Sequence, residues 1–393
     1  MTTIAQSAPA ELAPEARTST TAIAVPWFLW AVAFASTSVM VGVIWDISWH
    51  RTIGRDTFWT PAHLAIYLGG AVAGLACGWL VLQTTFAGTV RDKASAVGFW
   101  GFRGPLGAWV CIWGSLAMIT SAPLDDWWHN AYGLDVQILS PPHAVLAAGI
   151  LSIQIGAMLM ALAQQNNAGA DNRTRQFLFL YAGGVFTVML ATLGTEEIAF
   201  ANAHHGNVFF VVTALMFPPV LVGLSRSALG HWGATTAAGV YMGATLVMIW
   251  ILQLFPAQPM LAPILRQVDR MVPPPFPLLL VVAGVVVDLI LRRLPAASGR
   301  LRQWSTAVVA GLAGMAAFGL VQWYFAEFLL SPGARNFFFA ADQWDYNSFP
   351  GDWQYSFNAA PLTGAGVGLA MVVATVTSLA GLGWGNWMSR VRR

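Results

Sequence analysis

About ten apolar runs, each long enough to cross a hydrocarbon core of ~30 Å as a helix, dominate the chain and leave it few folds to choose from. They cover roughly residues 25–47, 61–84, 105–123, 142–164, 176–201, 206–225, 233–255, 276–295, 305–330 and 360–385. In lipid every backbone N–H and C=O must be satisfied inside the protein, so such runs become helices unless they close a barrel. The sequence therefore predicts an all-α, polytopic membrane helix bundle. Composition agrees: 57% of residues are hydrophobic and only 9% are charged, against about 25% charged in soluble domains. The lipid bilayer is the partner this implies. The basic residues are scattered through short loops and form no patch, so the net charge of +2 gives no nucleic-acid partner. Residues 1–24 are rich in Ala, Ser, Thr, Glu and Pro without an apolar core, which reads as a disordered cytoplasmic tail and not a signal peptide. Cys77 and Cys111 both fall inside apolar segments, as buried free thiols do.

Orientation follows from the positive charges of the loops. With the N-terminus inside, the inner segments carry Arg17, Arg91, Lys93, Arg103, Arg173, Arg175, Arg226, Arg292, Arg293, Arg300, Arg302, Arg390, Arg392 and Arg393, which are 14 of the 19 basic residues. An even number of spans then puts both termini in the cytoplasm. His50, His63, His129, His143, His204 and His205 all fall on the outer side. In a bacterium this is an inner-membrane protein whose titratable chemistry faces the periplasm or the exterior.

That chemistry is organised as a repeat within residues 25–165, a unit of four helices in two hairpins, followed by six further spans over 166–393. The first copy, WDISWHRTIGRDTFWTPAH, contains Asp46, His50, Asp56 and His63; the second, DDWWHNAYGLDVQILSPPH, contains Asp125, His129, Asp135 and His143. Asp46 and His50 are four residues apart, so on a helix they share a face. Thr60 then supplies an N-cap and Pro61 a first helical residue, returning His63 toward His50. Ser140, Pro141 and Pro142 do the same for His143. A carboxylate with two imidazoles suits non-haem iron(II) and also holds copper or zinc. A pseudo-twofold packing of the two hairpins would bring six ligands, Asp46, His50, His63, Asp125, His129 and His143, around one dinuclear centre. Asp56 and Asp135 would orient the imidazoles or accept protons, with Arg55 as a partner for Asp56.

With Arg55-Asp56-Thr57 and Pro61-x-His63 inside it, the first motif resembles the copper-binding motif of the C subunit of particulate methane and ammonia monooxygenases. The resemblance spans about residues 25–165. It implies that Asp46, His50 and His63 bind one copper. A neighbouring site of that family, built from Asn, His and His at +4 and +14, is similar to Asp125, His129 and His143, with Asp125 in place of Asn. The function implied is a metal-dependent, copper-using membrane monooxygenase that activates dioxygen beside a small apolar substrate, in a homo-oligomer or with companion subunits. The residues alone also fit a membrane protein that captures or transports a metal, or a non-catalytic subunit.

Three further features stand out. Glu196, Glu197, His204 and His205 at the outer end of the fifth span would complete a metal site or relay protons, with Glu197 the candidate acid–base group. Glu327 near the end of the ninth span is a candidate pathway residue, whereas Asp288 is expected to pair with Arg292 one turn on. The aromatic loop near 331–359 and the Trp residues around the motifs (Trp45, Trp49, Trp59, Trp127, Trp128) fit either an interfacial belt or a dry wall beside the site. No GxxxxGK[ST], GxSxG, HExxH or CxxC occurs, which removes phosphate-loop, serine-esterase, zincin and thiol-redox chemistry.

Overall fold

The computed structural model describes residues 25–54, 59–132, 140–168, 173–258, 268–294, 298–342 and 360–392, except for the side chains of 91, 129, 168 and 196. It is an all-α bundle whose described residues include nine helices long and apolar enough to cross a membrane. The first two, α1 (Trp27–Thr52) and α2 (Pro61–Phe86), form a hairpin. A short helix α3 (Val90–Ala94) and a two-stranded hairpin, β1 (Val97–Phe99) with β2 (Phe102–Gly104), lead to the second hairpin, α4 (Leu106–Tyr132) and α5 (Pro141–Ala168). The remainder comprises α6 (Arg173–Leu193), the one-turn α7 (Thr195–Ile198), a 3-10 turn (Ala201–His205), α8 (Asn207–Ser227), α9 (Gly233–Leu252), α10 (Leu280–Leu291), α11 (Arg300–Leu330) and α12 (Gly364–Met388).

Three consecutive hydroxyl residues tie α1 to three different neighbours. Gln154 of α5 donates its amide to the Ser36 carbonyl at 3.1 Å, Thr37 shares a 2.6 Å hydrogen bond with Tyr181 of α6, and Ser38 donates to Ala65 of α2 at 2.7 Å. Between membrane helices there is no hydrophobic driving force of the kind found in water, so close packing and such bonds hold the bundle. Small residues allow the close packing. A Cβ on Gly69 would stand 2.7 Å from the Ala35 carbonyl across the α1–α2 crossing, and one on Gly149 would stand 2.8 Å from the Gly114 carbonyl across α4–α5. The two glycines lie six residues beyond His63 and His143, so the repeat extends into the helices.

The expected span over 276–295 departs from a simple helix. Only Leu280–Leu291 is helical, preceded by an extended stretch, 271–278, that is buried throughout. Its sequence, Met-Val-Pro-Pro-Pro-Phe-Pro-Leu, explains this, because Pro273, Pro274, Pro275 and Pro277 cannot continue a helix. They also lack an N–H, which lowers the cost of extended backbone at membrane depth. The flanking amides are satisfied: Met271 donates to the Phe255 carbonyl, Val272 to Thr52 Oγ1 and Leu279 to Gln322 Oε1. Stretch and helix together run antiparallel to α9 along its length, since Tyr241 donates to the Pro277 carbonyl and Asp288 meets the start of α9.

Asp288 corrects the sequence reading. It does not pair with Arg292; its carboxylate accepts the amides of Ala234 and Thr235 at 3.2 and 2.7 Å and the Thr235 hydroxyl at 2.7 Å. A fully buried carboxylate thus caps the N-terminus of α9, where orphan amides and the helix dipole favour negative charge. Arg292 lies instead over the Trp232 ring, 5.6 Å from its centroid. Cys77 and Cys111 are buried free thiols, as expected.

Candidate metal centre

Both expected caps form. Thr60 Oγ1 accepts the His63 amide at 3.2 Å, and Ser140 Oγ accepts the His143 amide at 3.4 Å. Each cap fixes its imidazole in the opening turn of the returning helix, facing the end of the preceding one. The result in the first hairpin is a carboxylate held between two imidazoles. His63 Nε2 lies 3.1 Å from Asp46 Oδ1, and His50 Nε2 lies 3.6 Å from Asp46 Oδ2. The first separation is a hydrogen bond and the second an ion-pair contact. In the second hairpin His143 Nε2 lies 3.3 Å from Asp125 Oδ1. These groups are half-buried and reachable from outside; His50 is the most open, at 47% exposure.

The two copies are neighbours. α1 packs on α5 and α2 on α4, and His143 of the second copy is close enough to act electrostatically on Asp46 of the first. Tyr67 lies where both meet: its ring is 6.2 Å from that of His63, and it feels the charges of Asp125, Asp46 and Asp126. Sequence reasoning passed over this tyrosine, although its position one turn after His63 puts it on the same helix face.

The structure brings together Asp46, His50 and His63, and separately Asp125 and His143. The side chain of His129 and the whole of Asp56 and Asp135 lie outside the described residues, as does Arg55. Among the described residues no group of three or more His, Cys, Asp or Glu side chains meets the geometry of a metal site. In the first copy the two imidazoles address opposite oxygens of one carboxylate.

The tryptophans divide between the two expected roles. Trp49 is buried with Ile53 and Met271, and Trp45 packs against Phe255 with ring centroids 5.3 Å apart. Both form a dry flank on α1 beside Asp46 and His50. Trp59 and Trp127 are mostly exposed, as belt residues are. Of the aromatic outer loop, Phe337, Phe338 and Phe339 are described: the Phe337 carbonyl accepts from Gln253, the Phe338 carbonyl accepts from Trp250, and Phe339 packs on Phe328. Residues 343–359 lie outside the described residues.

The second group of outer histidines is differently built. His204 is fully buried; its Nε2 lies 2.8 Å from the Ile198 carbonyl and must carry the proton, so Nδ1 accepts from Gln322 Nε2 at 3.3 Å. Gln322 in turn accepts the Leu279 amide. Burial pushes the His204 pKa down to about 4, so the ring is neutral. His205 Nε2 is 3.2 Å from the Trp323 carbonyl. Both rings are committed to backbone carbonyls, and His204 is paired with Gln322 and not with Glu197. Glu197, on α7, is half-buried and its carboxyl is raised above the usual range by that burial. The side chain of Glu196 is outside the described residues. Glu327 is exposed and accepts the Trp323 indole N–H at 3.2 Å.

No protein-family model, no curated protein and no solved structure matches this chain.

Proposed function

We propose that the outer ends of α1, α2, α4 and α5 hold a metal, copper before iron or zinc, in an oxygenase-like membrane protein that activates dioxygen beside a small apolar substrate. The observation that carries this reading is Asp46 with an imidazole on each carboxylate oxygen, beside a second Asp–His pair on helices packed against its own hairpin. The donor chemistry fits. A carboxylate with two imidazoles 3.1 and 3.6 Å from its oxygens is the kind of donor set that holds such an ion. Asp46, His50 and His63 would hold one ion, and Asp125, His129 and His143 a second.

A bound ion would supply the electron chemistry of dioxygen activation. The chain's own residues would do the rest. The Asp46 and Asp125 carboxylates offset the ion's charge in a partly desolvated setting. Trp45 and Trp49 exclude water on one side. Tyr67 stands beside His63, with ring centroids 6.2 Å apart, and Asp56, Asp135 and Glu197 are the candidate proton acceptors. The excess of positive charge in the opposite loops supports an outward-facing site, and in a bacterium this is the periplasmic or extracellular side of the inner membrane. Companion subunits or further copies of the chain are part of the reading.

A second reading is a metal-capture or transport protein, which the same carboxylate and imidazole donors at the outer helix ends also suit. The two readings separate in membrane vesicles supplied with copper. An oxygenase consumes dioxygen when a small hydrocarbon is added and loses that uptake in Asp46→Ala. A transporter moves copper across the vesicle without hydrocarbon-dependent dioxygen uptake, which would contradict the first reading.

A further inference from the structure

Ser36 and Gln154 meet in the middle of the bundle, and both are fully buried. The Gln154 amide nitrogen donates to the Ser36 backbone carbonyl at 3.1 Å, which sets the carboxamide against the serine. Yet Gln154 Oε1 and Ser36 Oγ have no hydrogen-bond partner among the described residues. The serine is anomalous on its own helix, since the next residue, Thr37, returns its hydroxyl to the carbonyl four residues back at 2.7 Å. A donor and an acceptor on two residues that already touch, both left unsatisfied away from bulk water, are each costly.

We propose that one ordered water bridges Ser36 Oγ and Gln154 Oε1, forming a polar cross-tie between α1 and α5 in mid-membrane. It accepts the serine O–H and donates to the carboxamide oxygen. A buried water needs two to four polar partners, and this pair supplies one of each kind. Charge excludes a cation as the occupant. The apolar spans that surround the pair, residues 27–45, 64–86, 106–124, 144–168, 176–193 and 233–252, contain no Asp, Glu, Lys or Arg. A bare positive charge there would be uncompensated, whereas water is neutral.

The position of the cross-tie gives it a consequence. Ser36 lies ten residues below Asp46 on α1, and Gln154 lies eleven residues from His143 on α5. At about 1.5 Å per residue these are about 15 and about 16 Å, measured toward the same outer face. Fixing Ser36 against Gln154 therefore sets Asp46 and His143 at one level, joining the two copies of the repeat. This claim concerns helix register and holds whether or not a metal binds.

The test is a structure of the full chain in lipid nanodiscs at a resolution that reveals ordered water. The expected result is a density peak within about 2.6–3.2 Å of both Ser36 Oγ and Gln154 Oε1. The proposal is overturned if Ser36 Oγ turns onto the Val32 carbonyl, or bonds Gln154 Oε1 directly, with no third density between them. An unfolding cycle of Ser36→Ala, Gln154→Met and the double variant gives an independent reading. A shared water makes the double loss in midpoint clearly smaller than the sum of the single losses, and strict additivity contradicts it. If Gln154→Met does not fold, Ser36→Ala alone should abolish the density peak, and its persistence there contradicts the bridge.

Discussion

The two hairpins share a plan and differ in the helix that leads into each. Each has a hydroxyl cap three residues before its returning histidine and a close-packed glycine six residues after it. In the first, α1 has no internal proline and carries Asp46 to a place between His50 and His63. In the second, Pro123 lies inside α4 and Asp125 meets His143, while the side chain of His129 lies outside the described residues. The shared cap and glycine indicate that the repeat fixes where each returning histidine arrives, while the helix before it differs between the copies.

The largest effect should come from the shared scaffold. Gly69→Leu and Gly149→Leu each drive a side chain into backbone across a helix crossing, where overpacking costs about 1–3 kcal/mol or more. Both should sharply lower the unfolding midpoint and disturb their own hairpin; tolerance of either without loss would break the equivalence of the two crossings.

His204 provides a contrast to both hairpins. Its pKa lies at about 4 against an ordinary 6.5, so between those values the unfolded chain binds the proton that the folded chain refuses. Stability is therefore full above pH 6.5 and falls as pH drops toward 4, by up to about 3 kcal/mol at ~1.4 kcal/mol per unit. His204→Gln should flatten that slope in unfolding measured across pH; an unchanged slope would assign it to other groups.

The smallest effect concerns the caps. Thr60→Ala and Ser140→Ala should each cost about 1 kcal/mol, equal in the two hairpins by thermal unfolding. A much larger loss at Ser140 would mean that the second hairpin depends on its cap in a way the first does not.

The sequence carried the fold class, the caps and the closeness of Asp46, His50 and His63 because each rests on local chemistry: apolar length, Thr-Pro and Ser-Pro junctions, and the i, i+4 placement of Asp46 and His50. It misjudged what depends on neighbours. Asp288 looked like a partner for Arg292 one turn away, but the exposed amides of α9 lie against it in space and claim the carboxylate. The run over 276–295 looked like a span, and Pro277 with the three prolines just before the run could have warned that its helix starts only at Leu280. His204 and His205 resembled further ligands, yet partners more than a hundred residues away, Gln322 and the Trp323 carbonyl, had already taken ring nitrogens. Tyr67 was legible by spacing from His63 and overlooked because a tyrosine in an apolar helix attracts no attention without its carboxylate neighbours.

Metal analysis of the purified chain beside its His63→Ala and His143→Ala variants tests the central claim most directly. The account predicts at least about one equivalent of bound copper per chain in the parent, since carboxylate and imidazole ligands retain such an ion through purification. His63→Ala should lose the metal of the first copy, and His143→Ala should weaken it because the copies are neighbours. A parent chain that takes up no stoichiometric copper, iron or zinc even after reconstitution would contradict the account, as would a His63→Ala variant that keeps the parent's full metal content.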